Sequence, residues 1–180
     1  MQDARGLDVG GFVLTAAGAL LAGIGTTVTW MSTGLRQDLQ GLLDLEFRGI
    51  DLMEGIVALV MAGATLFGLV LIRRLRGTAR IGGAVGLLVA GVVLVALPAW
   101  VALRADDRAV DEVARIVAEA ADVSMREATD RVRTDPDLAV RTDTGGSWVS
   151  IAGGGLVVLG AGANLARTVR SARDLTRDGS

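Results

Sequence analysis

The side chains with the most chemistry to offer in this chain are acids. Glu46, Asp51 and Glu54 gather just ahead of a long apolar block, a placement that would suit an ion site, a seat for a cationic cofactor, or a general acid and base. No partner motif accompanies them, so we read them as solvated loop charges. The chain has no cysteine and no histidine, which removes disulfides, thiolate nucleophiles, histidine-ligated haem, the usual zinc sites and imidazole acid–base catalysis. It also leaves the redox compartment unmarked. One glycine run imitates a phosphate loop: Leu156-Val157-Val158-Leu159-Gly160-Ala161-Gly162 looks like a strand feeding a dinucleotide-binding turn. The third position of that fingerprint falls on Leu165, no second strand fits in the residues that remain, and the run lies inside an apolar block, so it is rejected. We therefore assign no catalytic, cofactor-binding or metal-ligating residue, expect no cofactor, and do not read the chain as an enzyme.

The elements that carry these residues are membrane helices. Of 180 residues, 51% are hydrophobic and 21% charged, and the apolar ones come in blocks rather than spread as in a water-soluble domain. Crossing a bilayer takes about 20 apolar residues of helix, and four blocks approach that length: 10–31, 55–72, 81–103 and 148–166, none containing Asp, Glu, Lys or Arg. Continuous apolar blocks mean helices, because a membrane barrel would alternate. The expected fold is all-α: one domain over 1–180, an integral membrane bundle of four transmembrane helices, with amphipathic helices in 32–54 and 104–147, a basic turn at 73–80 and a tail at 167–180. All 18 basic residues are Arg, which we read as the coding bias of a GC-rich genome.

The first apolar block exceeds the roughly 7 to 15 residues of a signal peptide core, so an uncleaved span is expected there. Small residues four apart let helices approach closely in lipid. That rule nominates Gly18 and Ala22 in span one, Ala64 and Gly68 in span two, Gly82, Gly86 and Ala90 in span three, and Gly154 in span four as packing positions. The short turn between spans two and three makes them antiparallel neighbours, with the Gly82, Gly86 and Ala90 ridge as their contact. Pro98 cannot donate to the Leu94 carbonyl, so a bend is expected late in span three.

Arginine sets the orientation. The turn after span two holds Arg73, Arg74, Arg76 and Arg80 with no acid, and the tail holds Arg167, Arg170, Arg173 and Arg177, so both are expected in the cytoplasm, as are both termini. Segment 104–147 then lies outside, with seven Arg against eleven acids. Trp30, Trp100 and Trp148 all fall at the same expected outer interface.

Two outer segments carry helical stripes. Leu35, Leu39, Leu42, Leu43, Phe47 and Ile50 recur at three- and four-residue steps, although Gly41 and Gly49 weaken that helix. Between Asp106 and Arg133 there is no proline or glycine, and Val110, Val113, Val117, Ala121, Met125, Ala128 and Val132 form a second stripe, predicting one helix. Asp111 with Arg115, Asp122 with Arg126, and Glu127 with Arg131 are acid-before-base pairs four apart, each worth ~0.3 kcal/mol. Asp135-Pro136 ends the helix and Thr142 to Ser147 turns back toward the membrane. Leu35, Leu39, Phe47, Val110, Val113, Val117 and Met125 are the candidate partner-binding residues.

The layout resembles that of small four-span membrane proteins common in high-GC actinobacteria and haloarchaea. The likeness rests on Gly49-Ile50-Asp51 and Glu54-Gly55 ahead of span two, the Arg-rich turn, and a Gly-rich final span begun by Gly145-Gly146-Ser147-Trp148. It covers most of the chain and implies no activity. The expected function is a structural, assembly or accessory subunit of a membrane complex, in contact with the lipid bilayer, forming homo- or hetero-oligomers with other membrane proteins and binding no nucleic acid. The alternative is a small oligomeric channel or transporter, against which stands the want of an ionisable residue inside any span.

Overall fold

The computed structural model describes residues 9–35, 45–75, 78–135 and 140–177. Six helices and one small sheet follow in the order α1 (Val9–Gly25), β1 (Thr29–Leu35), β2 (Leu45–Arg48), α2 (Met53–Ile72), α3 (Thr78–Leu103), α4 (Ala105–Ala121), α5 (Met125–Thr134), β3 (Val140–Asp143) and α6 (Ser147–Arg177). Three helices are long and apolar enough to cross a membrane: α2, α3 and residues 147–170 of α6. The helix α1 is equally apolar but has 17 residues, a rise of about 26 Å against a hydrocarbon core of about 30 Å.

The first apolar helix is therefore shorter than the 10–31 block. The last turn of α1 tightens into i to i−3 bonding, with Thr26 and Thr27 N–H donating to Gly23 and Ile24 carbonyls, and their hydroxyls donate to those same carbonyls at 2.7 and 2.8 Å. Beyond it the β-branched and aromatic run from Thr29 enters a strand.

The four apolar helices make a ring in which α6 packs most extensively, against α1 on one side and α3 on the other, while α2 closes the circle between α1 and α3. Their outward faces are oily: Val13, Leu20, Val60, Phe67, Val89 and Leu159 are all more than half exposed, the inverse of a water-facing surface. The Gly82 and Gly86 ridge belongs to that outer face. A Cβ on either residue would meet nothing within 4 Å, and the α2–α3 contact runs instead through Leu69 and Ile72 against Ala84 and Leu87. The buried line of α3, through Ala84, Leu87, Gly91, Leu94 and Pro98, is offset from the expected one because α3 must also serve α6. The helix runs on through Pro98 to Leu103.

A cap covers the end of the ring where α1 and α3 finish and α2 and α6 begin. Its sheet has strand order β2-β1-β3, both pairings antiparallel, with Met31 opposite Phe47 and Ser32 opposite Asp143. This corrects the amphipathic helix expected over 32–54. Leu45 to Arg48 also alternates apolar and charged residues, and pairing with β1 selects that two-residue period over the helical one. Leu39, Leu42 and Leu43 lie outside the described residues.

The single helix expected over 106–133 is a hairpin. Asp122 closes α4 in the left-handed region, with φ 51° and ψ 45°, and Ser124 starts α5 as a cap whose hydroxyl accepts the Glu127 N–H at 3.3 Å. The two helices fold together on Val113, Ala114, Ala128 and Val132. The helix α3 does not continue unbroken into α4, because Arg104 leaves helical geometry (φ −107°, ψ 8°) and lays its guanidinium 4.0 Å from the Trp100 ring.

Trp30 is not an interfacial anchor. It is fully buried under the sheet, packed with Ala19, Ala22, Ala58, Ala62, Leu94, Val101 and Val157, and its indole N–H donates to the Gly25 carbonyl at 2.8 Å. Trp100 and Trp148 remain exposed.

Candidate functional site

Where the cap meets the ring, three separate parts of the chain enclose an open groove of about 470 Å³. Its floor is apolar. Met31 of β1 and Phe47 of β2 are ladder partners and so present side chains on one face, Leu52 and Met53 come from the start of α2, and Met125 comes from the first residue of α5. Methionine adapts its shape to varied apolar partners.

The rim is charged. From α4 come Arg108, Asp111, Glu112 and Arg115, spaced i, i+3, i+4 and i+7, which puts all four on one helix face. The opposite face of α4 is spent on α5. Across the groove stand Asp51, from the turn between β2 and α2, and Glu54, from the first turn of α2. Arg108 donates to Glu54 in a partly buried ion pair that ties α4 to the start of α2. Arg115 is held by Glu112 at 2.5 Å and Glu119 at 3.1 Å, so the expected Asp111–Arg115 pair does not form. The hydrogen bond from Arg115 holds the Glu112 carboxyl below its ordinary value against the opposing effect of burial. Asp51 accepts the Arg48 backbone N–H at 3.0 Å. Among the described residues Asp51 and Asp111 have no ion pair, which leaves the rim with excess negative charge.

Of the three acids singled out in the sequence, Asp51 and Glu54 meet in this groove, while Glu46 is exposed on β2. Among the described residues no three carboxylates come together as a metal site would require. The candidate partner residues divide. Phe47 and Met125 line the groove, Val113 is buried between α4 and α5, and Val110 and Val117 pack beside it, so those three valines serve the fold. Leu35 pairs with Val140 at the far end of β1, and Leu39 lies outside the described residues. Asp111 and Arg115 were expected only as a helix-stabilising pair, and Arg108 and Glu112 were not singled out, though the i, i+3, i+4, i+7 spacing of all four was readable.

The packing residues divide as well. Gly18 and Ala22 face Gly153 across the α1–α6 seam, and a Cβ on Gly18 would stand 2.6 Å from the Gly153 carbonyl oxygen. Gly154 lies against Leu94 and Val95 of α3, Ala90 is buried, Gly68 touches Leu87, and Ala64 is exposed. The seam is also where polar groups hide: Thr15 donates to the Gly11 carbonyl at 2.8 Å, and the Ser150 hydroxyl donates across the seam to the Ala22 carbonyl at 3.2 Å.

No protein-family model matches this chain, and no curated protein matches it.

Proposed function

We propose that this chain is a non-enzymatic accessory or assembly subunit of a membrane complex, a four-helix anchor that holds a recognition cap outside the cytoplasmic membrane with both termini in the cytoplasm. One observation carries the reading: the groove at the base of the cap. It unites the first turn of a spanning helix, two strands and a charged helix face, and both of its arginines are held by carboxylates. Such a surface supports recognition of a partner. The glycine-tight seams of α6 supply the rigid mounting that recognition requires.

The channel reading draws less support. The described side chains buried in the ring are small or apolar, with Thr15, Thr65, Ser147, Ser150 and Asn164 as its polar members, and none of them titrates. Native purification in mild detergent with identification of what copurifies tests the proposal. A stable hetero-complex is expected; a monodisperse homo-oligomer that conducts ions in liposomes would replace it with the channel.

A further inference from the structure

The groove's chemistry specifies its partner more narrowly than an accessory role does. Its floor of Met31, Phe47, Met53 and Met125 is apolar and built largely of adaptable thioether side chains. Among the described residues its rim retains Asp51 and Asp111 without ion pairs, while both rim arginines, Arg108 and Arg115, are engaged by carboxylates. An apolar strip edged by carboxylates that lack a cationic partner among the described residues complements one face of a helix that carries aliphatic side chains beside basic ones.

The shape selects among cationic amphiphiles. A small molecule needs most of its surface covered, and this groove is open along its length at about 470 Å³. A helix closes such a groove by laying one or two aliphatic anchors on the methionine floor and leaving its own outer face in solvent. The location selects further. Leu52 and Met53 of the floor sit at the very start of α2, so the groove opens at the level where that spanning helix begins. Basic amphipathic helices lie at that depth, in the plane of the membrane surface.

We propose that the groove between α2 and α4 docks a basic amphipathic helix of a partner protein lying along the membrane surface, its aliphatic face on Phe47, Met53 and Met125 and its cationic side chains on Asp51 and Asp111. This rests on the accessory-subunit reading and is tested separately from it. The full chain in nanodiscs of zwitterionic lipid is titrated with a fluorescent 14-residue Leu/Lys helical peptide, with empty nanodiscs as the reference. A Leu/Glu peptide of the same pattern and dodecyltrimethylammonium serve as the other probes.

Saturable binding of the Leu/Lys peptide, above that of empty nanodiscs, is expected. Asp111→Lys and Met125→Ser, both on exposed positions, each weaken it at least about fivefold. Asp130→Lys, the same charge reversal on α5 outside the groove, leaves it unchanged. Equal binding of the Leu/Glu peptide, indifference to both groove variants, or displacement of the peptide by the quaternary ammonium amphiphile would overturn the proposal. A native hetero-complex whose cross-links avoid the groove would also overturn it and leave the accessory role standing. A chain that binds the peptide as described yet purifies alone would do the opposite.

Discussion

The α1–α6 seam makes a quantitative prediction at Gly18. An added Cβ there would stand 2.6 Å from the Gly153 carbonyl oxygen, 2.7 Å from the Val157 amide nitrogen and 2.8 Å from the Leu156 Cβ. Two of those atoms are backbone and cannot rotate aside. Ordinary contact distances are about 3.5 to 4.0 Å, so Gly18→Ala requires α1 and α6 to part by about 1 Å. That movement also strains the hydrogen bond from Ser150 to the Ala22 carbonyl across the same seam. Overpacking of this kind costs about 1 to 3 kcal/mol. Gly86→Ala is the matched control, since its Cβ meets nothing within 4 Å and relief of the glycine penalty in a helix favours it by about 0.5 to 1 kcal/mol. The two variants should differ by roughly 2 kcal/mol or more. Unfolding in mixed micelles of rising dodecyl sulfate fraction, followed by the fluorescence of buried Trp30, measures the difference. If Gly86→Ala loses as much stability as Gly18→Ala, α6 is not seated on α1 in the way described.

Ser124→Ala removes the cap of α5 and should cost about 1 kcal/mol, seen as faster amide exchange in α5 with the membrane helices unaffected. Asp122→Gly relieves a side chain in the left-handed region and should raise the stability of the α4–α5 hairpin by up to about 1 kcal/mol, read from the melting of the cap. The Glu112 carboxyl titrates below its ordinary value when folded, so its ion pair with Arg115 contributes fully above the unfolded carboxylate range and is lost as pH falls through the lower folded value. Both groups are substantially exposed, so the effect is small, and Glu112→Gln should flatten the acid limb of the stability–pH curve slightly while leaving neutral pH nearly unchanged.

The apolar helices were legible because their signal is composition over a length, and a block without charges reads the same in any packing arrangement. Which face of a helix packs was less legible. Gly18 with Ala22 and Gly82 with Gly86 follow the same four-residue rule, yet the first pair is buried against α6 and the second faces outward. The rule describes what allows close approach and is silent on which neighbour is there. The cap was misread for a related reason. Leu35, Phe47 and Ile50 fit a helical stripe, but strands β1, β2 and β3 are joined by pairing between residues as far apart as Ser32 and Asp143, which no local period reports. The stripe from Val110 to Val132 was a true helical pattern, and its break at Asp122 lacks the usual glycine or proline signal; the hairpin turns there because the apolar face of α5 folds back onto that of α4. The groove inherits both difficulties, since Asp51, Glu54 and Arg108 meet only through the folded cap.

In the proposed topology the ring spans the membrane with the cap outside and the α2–α3 turn inside. Absence of native cysteine makes single-cysteine variants clean reporters. Thr78 at the start of α3 and Arg126 on α5 are both exposed and lie at opposite ends of the ring. In intact cells an impermeant maleimide should label Arg126→Cys and spare Thr78→Cys until the membrane is opened. Labelling of Thr78→Cys with protection of Arg126→Cys would invert the orientation, and labelling of both in intact cells would contradict the membrane-spanning arrangement itself.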